Sequence, residues 1–185
     1  MQLDNETIKE FVIAGHGNFE KVKAMLLENP ELLNTAFEWR EGDFETALQA
    51  ASHVGNDAIA RFLLSQGAKL EITTAAMLGD VEGVEIFLTQ NPDLIQAKGA
   101  HGITLLTHAV MSEKADLVRS LILKGATEGS SMALNIATDI GNFEVVKVLL
   151  EHTKPDVTWR NFKGKSALEL ANPEILALLE AARHA

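Results

Sequence analysis

Thr46-Ala47-Leu48-Gln49-Ala50-Ala51-Ser52-His53-Val54-Gly55-Asn56 decides the fold, because the chain writes this stretch more than once. It returns as Met132-Ala133-Leu134-Asn135-Ile136-Ala137-Thr138-Asp139-Ile140-Gly141-Asn142, and in shortened form as Ser166-Ala167-Leu168-Glu169-Leu170-Ala171. A second apolar segment follows each full copy: Ile59-Ala60-Arg61-Phe62-Leu63-Leu64-Ser65-Gln66-Gly67-Ala68 after the first, Val145-Val146-Lys147-Val148-Leu149-Leu150 after the second. A helix, a glycine turn and a second helix cannot bury their apolar faces alone. Repeated at a period of about 33 residues, they stack and share one continuous core.

Working outward, the turn between paired helices is the landmark. Glycine suits it because the first helix ends in a left-handed conformation that costs glycine nothing. The turns fall at Gly17-Asn18, Gly55-Asn56, Gly79-Asp80, Glu113-Lys114 and Gly141-Asn142. Glu113 breaks the pattern, so its turn is expected to be strained or differently built. A sixth pair is cut short, with Asn172-Pro173 in place of the turn. Long and short spacings alternate, giving a double unit of about 62 residues. Long connections follow pairs one, three and five (34–45, 96–103 and 157–165), and only these have room for a β-hairpin finger.

These stretches resemble the ankyrin pattern T-P-L-H-x-A-A-x-x-G followed by L-L-x-x-G-A, with the Pro and His relaxed. The resemblance covers nearly all 185 residues. It implies an all-α ankyrin-repeat solenoid of about six helix pairs, with short β-hairpin fingers at alternate joints. One domain over 1–185 is expected, with repeats near 4–33, 43–71, 72–97, 102–127, 131–157 and 164–183. In its first connection, in Ala76-Met77-Leu78-Gly79 and in His101-Gly102-Ile103-Thr104-Leu105-Leu106, the chain is similar to the short ankyrin proteins of bacteria. That likeness carries no activity with it.

Composition narrows the function classes. Sixteen basic residues against 26 acidic ones leave a net charge of −10, which disfavours nucleic acid and anionic membranes as partners. With no cysteine, disulfides and thiol catalysis are excluded. The opening residues Met1 to Glu6 are polar and acidic, unlike a secretory signal, and no apolar run approaches a membrane span. The expectation is a cytoplasmic protein.

The resemblance also implies a concave groove lined by the fingertips and by the two residues before each turn. Those couples are Gly15-His16, His53-Val54, Met77-Leu78, Met111-Ser112 and Asp139-Ile140. Apolar side chains replace the polar ones usual there, and an exposed apolar stripe marks a binding site. Met77 and Met111 are read as exposed. Val54, Leu78 and Ile140 are read either as part of the stripe or as packing. Five of the ten Phe and Trp residues fall in the first and fifth connections, and Arg40 and Arg160 each follow a Trp. Phe37, Trp39 and Phe162 are taken as exposed anchors, while Phe44 and Trp159 are expected to pack the finger bases.

Three functions compete. The first is a non-catalytic module that binds another protein through Phe37, Trp39, Arg40, His53, Met77, His101, Met111, Asp139 and Phe162. The second is a homodimer formed through the same stripe or the alanine-rich last helix. The third is a small-molecule, metal or catalytic site around His53, His101 and Asp139. Against the third, no nucleophile elbow, phosphate loop or metal-ligand spacing occurs, so no enzyme activity, catalytic residue, metal ligand or cofactor is assigned. His16 and His53 nonetheless occupy neighbouring rungs of the groove, and His101 tips a finger that could reach it.

Overall fold

A computed structural model describes residues 3–183. His184, the last of the chain's histidines, lies outside them. Twelve α-helices occur among the described residues, stacked as six antiparallel pairs. They are α1 (Asn5–Gly15) with α2 (Phe19–Glu28), α3 (Ala47–His53) with α4 (Asp57–Ser65), and α5 (Ile72–Met77) with α6 (Val81–Gln90). Then come α7 (Leu105–Val110) with α8 (Ala115–Leu123), α9 (Ser130–Ile140) with α10 (Phe143–His152), and α11 (Ala167–Leu170) with α12 (Pro173–Arg183). None is long and apolar enough to cross a membrane.

The double unit is visible in the helices. α2, α6 and α10 start at Phe19, Val81 and Phe143, steps of about 62 residues. A 3₁₀ turn opened by proline follows the first two, at Pro30–Asn34 and Pro92–Gln96. Asn18, Asn56, Asp80 and Asn142 cap the second helices, each side chain accepting a hydrogen bond from a backbone N–H of the first turn.

Two landmarks behave differently from the pattern. Gly17 is not left-handed: Asn18 N–H returns to Ala14 O, one residue tighter than the Asn56-to-Ala51 closure. Glu113 does take the left-handed conformation, with φ +60°, and Lys114 provides no side-chain cap for α8. A side chain there costs about 1–2 kcal/mol. Glu113→Gly should therefore raise stability by about 1 kcal/mol, read as a thermal midpoint roughly 2–4 °C higher. An unchanged midpoint would mean that the turn is not strained.

The core is a stripe in two clusters. One gathers Phe11, Val22, Leu26, Leu48, Ala51, Ile59 and Leu63 from the first two pairs, and the other runs from Ile72 to Leu179 through the rest. Met77 belongs to the first cluster although its helix-mates Ile72, Ala75 and Ala76 belong to the second. It is 3% exposed, so the expected exposure at this position is corrected. α5 is only six residues long, and the flexible thioether at its end fills the seam with the preceding pair.

The fingers stand at alternate joints but differ in size. The first is a true hairpin, β1 (Ala36–Arg40) antiparallel to β2 (Asp43–Thr46), pairing Phe37 with Glu45 and Glu38 with Phe44. The second and third are reduced to single bridges, Lys98 to Thr104 and Arg160 to Ser166. Strand alternation settles Phe44. Glu45 points inward and is fully buried, so its neighbour Phe44 points out and is exposed, contrary to the packing expected for it.

Candidate functional site

Four loops and helix ends meet beneath the first finger. His16 caps the C-terminus of α1, His53 ends α3, and His101 sits in the 3₁₀ turn Ala100–Gly102 at the tip of the second finger. β2 contributes Asp43 and Glu45 from one face of the strand. Trp39 lies at an irregularity in β1, between Glu38 and Arg40, where the register slips. Such a bulge re-aims a side chain, and here the indole N–H reaches Glu45 Oε2 at 2.7 Å.

Glu45 is the centre of this cluster. Its other oxygen, Oε1, lies 2.8 Å from His53 Nε2, 3.4 Å from His101 Nε2 and 3.6 Å from His16 Nε2. No group donates to it in good hydrogen-bond geometry, and His53 Nε2 also lies 3.1 Å from His16 Nε2. Burial pushes the Glu45 pKa up, but His53 and the Trp39 hydrogen bond, with the charge that His53 and His16 carry when protonated, outweigh it, so the net shift is downward. A buried carboxylate is thus kept ionised by its neighbours. Asp43 is also held below the usual carboxylate range, chiefly by the His101 ring, whose Nδ1 lies 3.0 Å from Asp43 Oδ2. His101 N–H donates to the other Asp43 oxygen at 3.0 Å, which docks the second finger against the first. His16, Glu45 and His53 each offer a metal-donor atom, all within 4.8 Å of one another.

Next to this cluster, and sharing His53 with it, runs a cleft of about 980 Å³ along the concave face. Val54, Met111, Met132, Ile136, Ile140 and Trp159 supply most of its apolar lining, and Asp139 and Lys163 add charge. Val54 is 46% and Ile140 42% exposed, while Met111 is half-buried and Leu78 packs on the first core cluster. Phe162 stands at the rim, 95% exposed. The third finger is positioned by buried Asn135, which donates to Lys165 O at 3.0 Å and accepts from Asn161 at 3.0 Å.

The residues singled out in the sequence therefore divide. His53, Met111, Asp139 and Phe162 line one cleft. Trp39 and His101 join the histidine–carboxylate cluster, with Phe37 packed edge-on against Trp39 at 4.9 Å. Arg40 is exposed and paired with Asp43 at 3.1 Å. Asp139 is not the carboxylate of the histidine cluster. Glu45 and Asp43 take that place, and neither was picked out in the sequence. The missing signal was alternation: along the strand Asp43–Thr46 it turns Asp43 and Glu45 to one face and Phe44 to the other.

Ankyrin-repeat family profiles match residues 72–161 ("Ankyrin repeats (3 copies)") and 43–75 ("Ankyrin repeat"). The crystal structure of the human ASB11 ankyrin repeat domain is similar to this chain, with a TM-score of 0.53 and 28% sequence identity. That match covers 93% of this chain and 81% of the other. No curated protein matches the chain in sequence.

Proposed function

The chain belongs to the ankyrin-repeat family, whose repeats generally mediate protein–protein interaction, and on that premise we propose that its concave cleft binds a short segment of another protein. The observation that carries this reading is the exposed apolar set around the cleft: Val54, Ile140 and Phe162, floored by Met111, Met132 and Ile136. Water-facing side chains of this kind gain most when a partner covers them, and methionine adapts to varied shapes. The net charge of −10 favours a segment that places Lys or Arg beside its apolar anchors.

The rival reading, a homodimer through the last helix, finds less support. Among the described residues, α12 presents no exposed large apolar side chain, since Ile175 and Leu179 are buried and Leu178 packs on the core.

Selection from a displayed peptide library should return segments that combine an apolar anchor with basic residues. Phe162→Ala should weaken such peptides about 30-fold, and Met111→Lys with Ile140→Lys should abolish binding. Affinities measured by calorimetry that are unchanged in both variants would refute the cleft as the binding surface.

A further inference from the structure

The histidine cluster contains too few protons for its geometry. His16 Nδ1 lies 3.2 Å from Val12 O and 3.3 Å from Ile13 O, and a carbonyl only accepts, so Nδ1 carries the hydrogen. His101 Nδ1 faces the Asp43 carboxylate and likewise carries its hydrogen. In both neutral rings Nε2 is then a bare lone pair. His16 Nε2 can accept from His53 Nε2. His101 Nε2 instead points a lone pair toward Glu45 Oε1, an anionic oxygen that is fully buried and receives no hydrogen bond. Three lone-pair atoms, His16 Nε2, His101 Nε2 and Glu45 Oε1, converge around the single Nε2–H of His53. A cation that replaced that hydrogen would satisfy all four and the buried anion with them.

We propose that His16 Nε2, His53 Nε2 and Glu45 Oε1, closed by His101 Nε2, form a binding site for a divalent transition-metal ion of zinc's class. Spacing supports this. Bonds of about 2.0–2.1 Å to zinc in a tetrahedron place neighbouring donors roughly 3.4 Å apart. Among His16, His53 and Glu45 the separations run from 2.8 to 3.6 Å, and His101 Nε2 reaches Glu45 Oε1 at 3.4 Å. Three imidazoles and one carboxylate suit zinc, cobalt or nickel, and are too few oxygens for magnesium or calcium.

The surroundings fit as well. Metal-bound imidazoles donate their other N–H to a carbonyl or carboxylate, which fixes the tautomer and raises basicity. His16 does so to the α1 carbonyls and His101 to Asp43. Trp39 N–H holds the second oxygen of Glu45, leaving the first free to coordinate. The ion would tie α1, the first finger, α3 and the second finger together at one end of the cleft. His53 belongs to both sites.

Chelator-stripped full-length protein should bind zinc one-to-one with a dissociation constant in the micromolar range or tighter by calorimetry. Zinc at about 100 times that constant should raise the thermal midpoint by roughly 5–10 °C. Cobalt should develop the intense visible absorption of a four-coordinate site. His53→Ala and Glu45→Gln should each weaken zinc at least 100-fold, while His152→Ala, remote beside Arg119, should leave it unchanged. If either variant fails to fold, His16→Gln on the half-buried cap serves in its place. Wild-type protein that folds but binds no tighter than millimolar, or retains its affinity in the variants, would overturn the site. The cluster would then be held by protons alone.

Discussion

Gly15→Ala should melt roughly 5–10 °C below the parent chain, a loss of about 2–3 kcal/mol, although alanine is the better helix former. Inside α1 the substitution would ordinarily gain about 1 kcal/mol. Here the added Cβ would lie 2.6 Å from Ala47 O and 2.9 Å from Ala47 Cα. Both partners are main chain, so no side chain can turn aside, and α1 must back away from α3. That separation opens the layer holding Phe11, Ala14, Leu48 and Ala51, all buried in one cluster. It also draws His16, the next residue, away from Glu45, so zinc affinity should fall together with stability. Gly17→Ala is the matched control, because nothing lies within 4 Å of its Cβ and its φ is not positive. Chemical and thermal unfolding of the two variants measures the difference. A Gly15→Ala protein as stable as the Gly17→Ala protein would show that the two helices are not in this close contact.

The repeat was legible because helix pairs report themselves locally. Asn5 to Gly15 reads as a helix from its own residues, and α1 has those bounds. Glu113 in a glycine position announced a turn that is strained or differently built, and the turn is left-handed. The fingers were placed by connection length alone, which explains why their positions are right and their sizes are not. A long connection permits a hairpin, but only Ala36–Thr46 has enough extended residues to pair more than once. Met77 was misplaced for a different reason. Its position in the repeat points to the groove, but the seam between two core clusters lies beside it and claims the side chain.

Of the histidine–carboxylate cluster the repeat pattern reached the histidines, setting His16 and His53 on neighbouring rungs and His101 on a fingertip, but not the carboxylates. His16, Glu45, His53 and His101 come from a helix cap, a strand, a helix end and a finger tip. No sequence motif links them, because stacking of the helix pairs and docking of the second finger on the first bring them together. The direction of the carboxylates could have been inferred by alternation along the strand Asp43–Thr46, which turns Asp43 and Glu45 to one face. The cleft was easier, since each of its rungs repeats the same place in the unit.

One histidine outside the cluster should dominate the acid response. His108, in α7, is 1% exposed, and its Nδ1 donates to Thr104 O at 2.9 Å. Gly99 leaves it room: a Cβ there would sit 3.0 Å from the His108 ring. Burial pushes its pKa down from 6.5 to about 4, opposed by the Thr104 hydrogen bond and assisted by the charge of nearby His53. The unfolded chain therefore takes up this proton near pH 6.5, and the folded chain only near pH 4. Neutral His108 contributes its full stability above pH 6.5. That contribution drains away as the pH falls toward 4, by about 2 kcal/mol at pH 5 and about 3 kcal/mol in total. Glu45 shifts stability in the same direction, but its window begins lower, below the ordinary glutamate value of 4.5. His108→Gln keeps a donor for Thr104 and has no proton to gain. Urea unfolding at pH 7.5, 6 and 5 should show the parent losing about 2 kcal/mol more than this variant across the series. Parallel losses would place the acid sensitivity elsewhere, with His108 open to water in the folded chain.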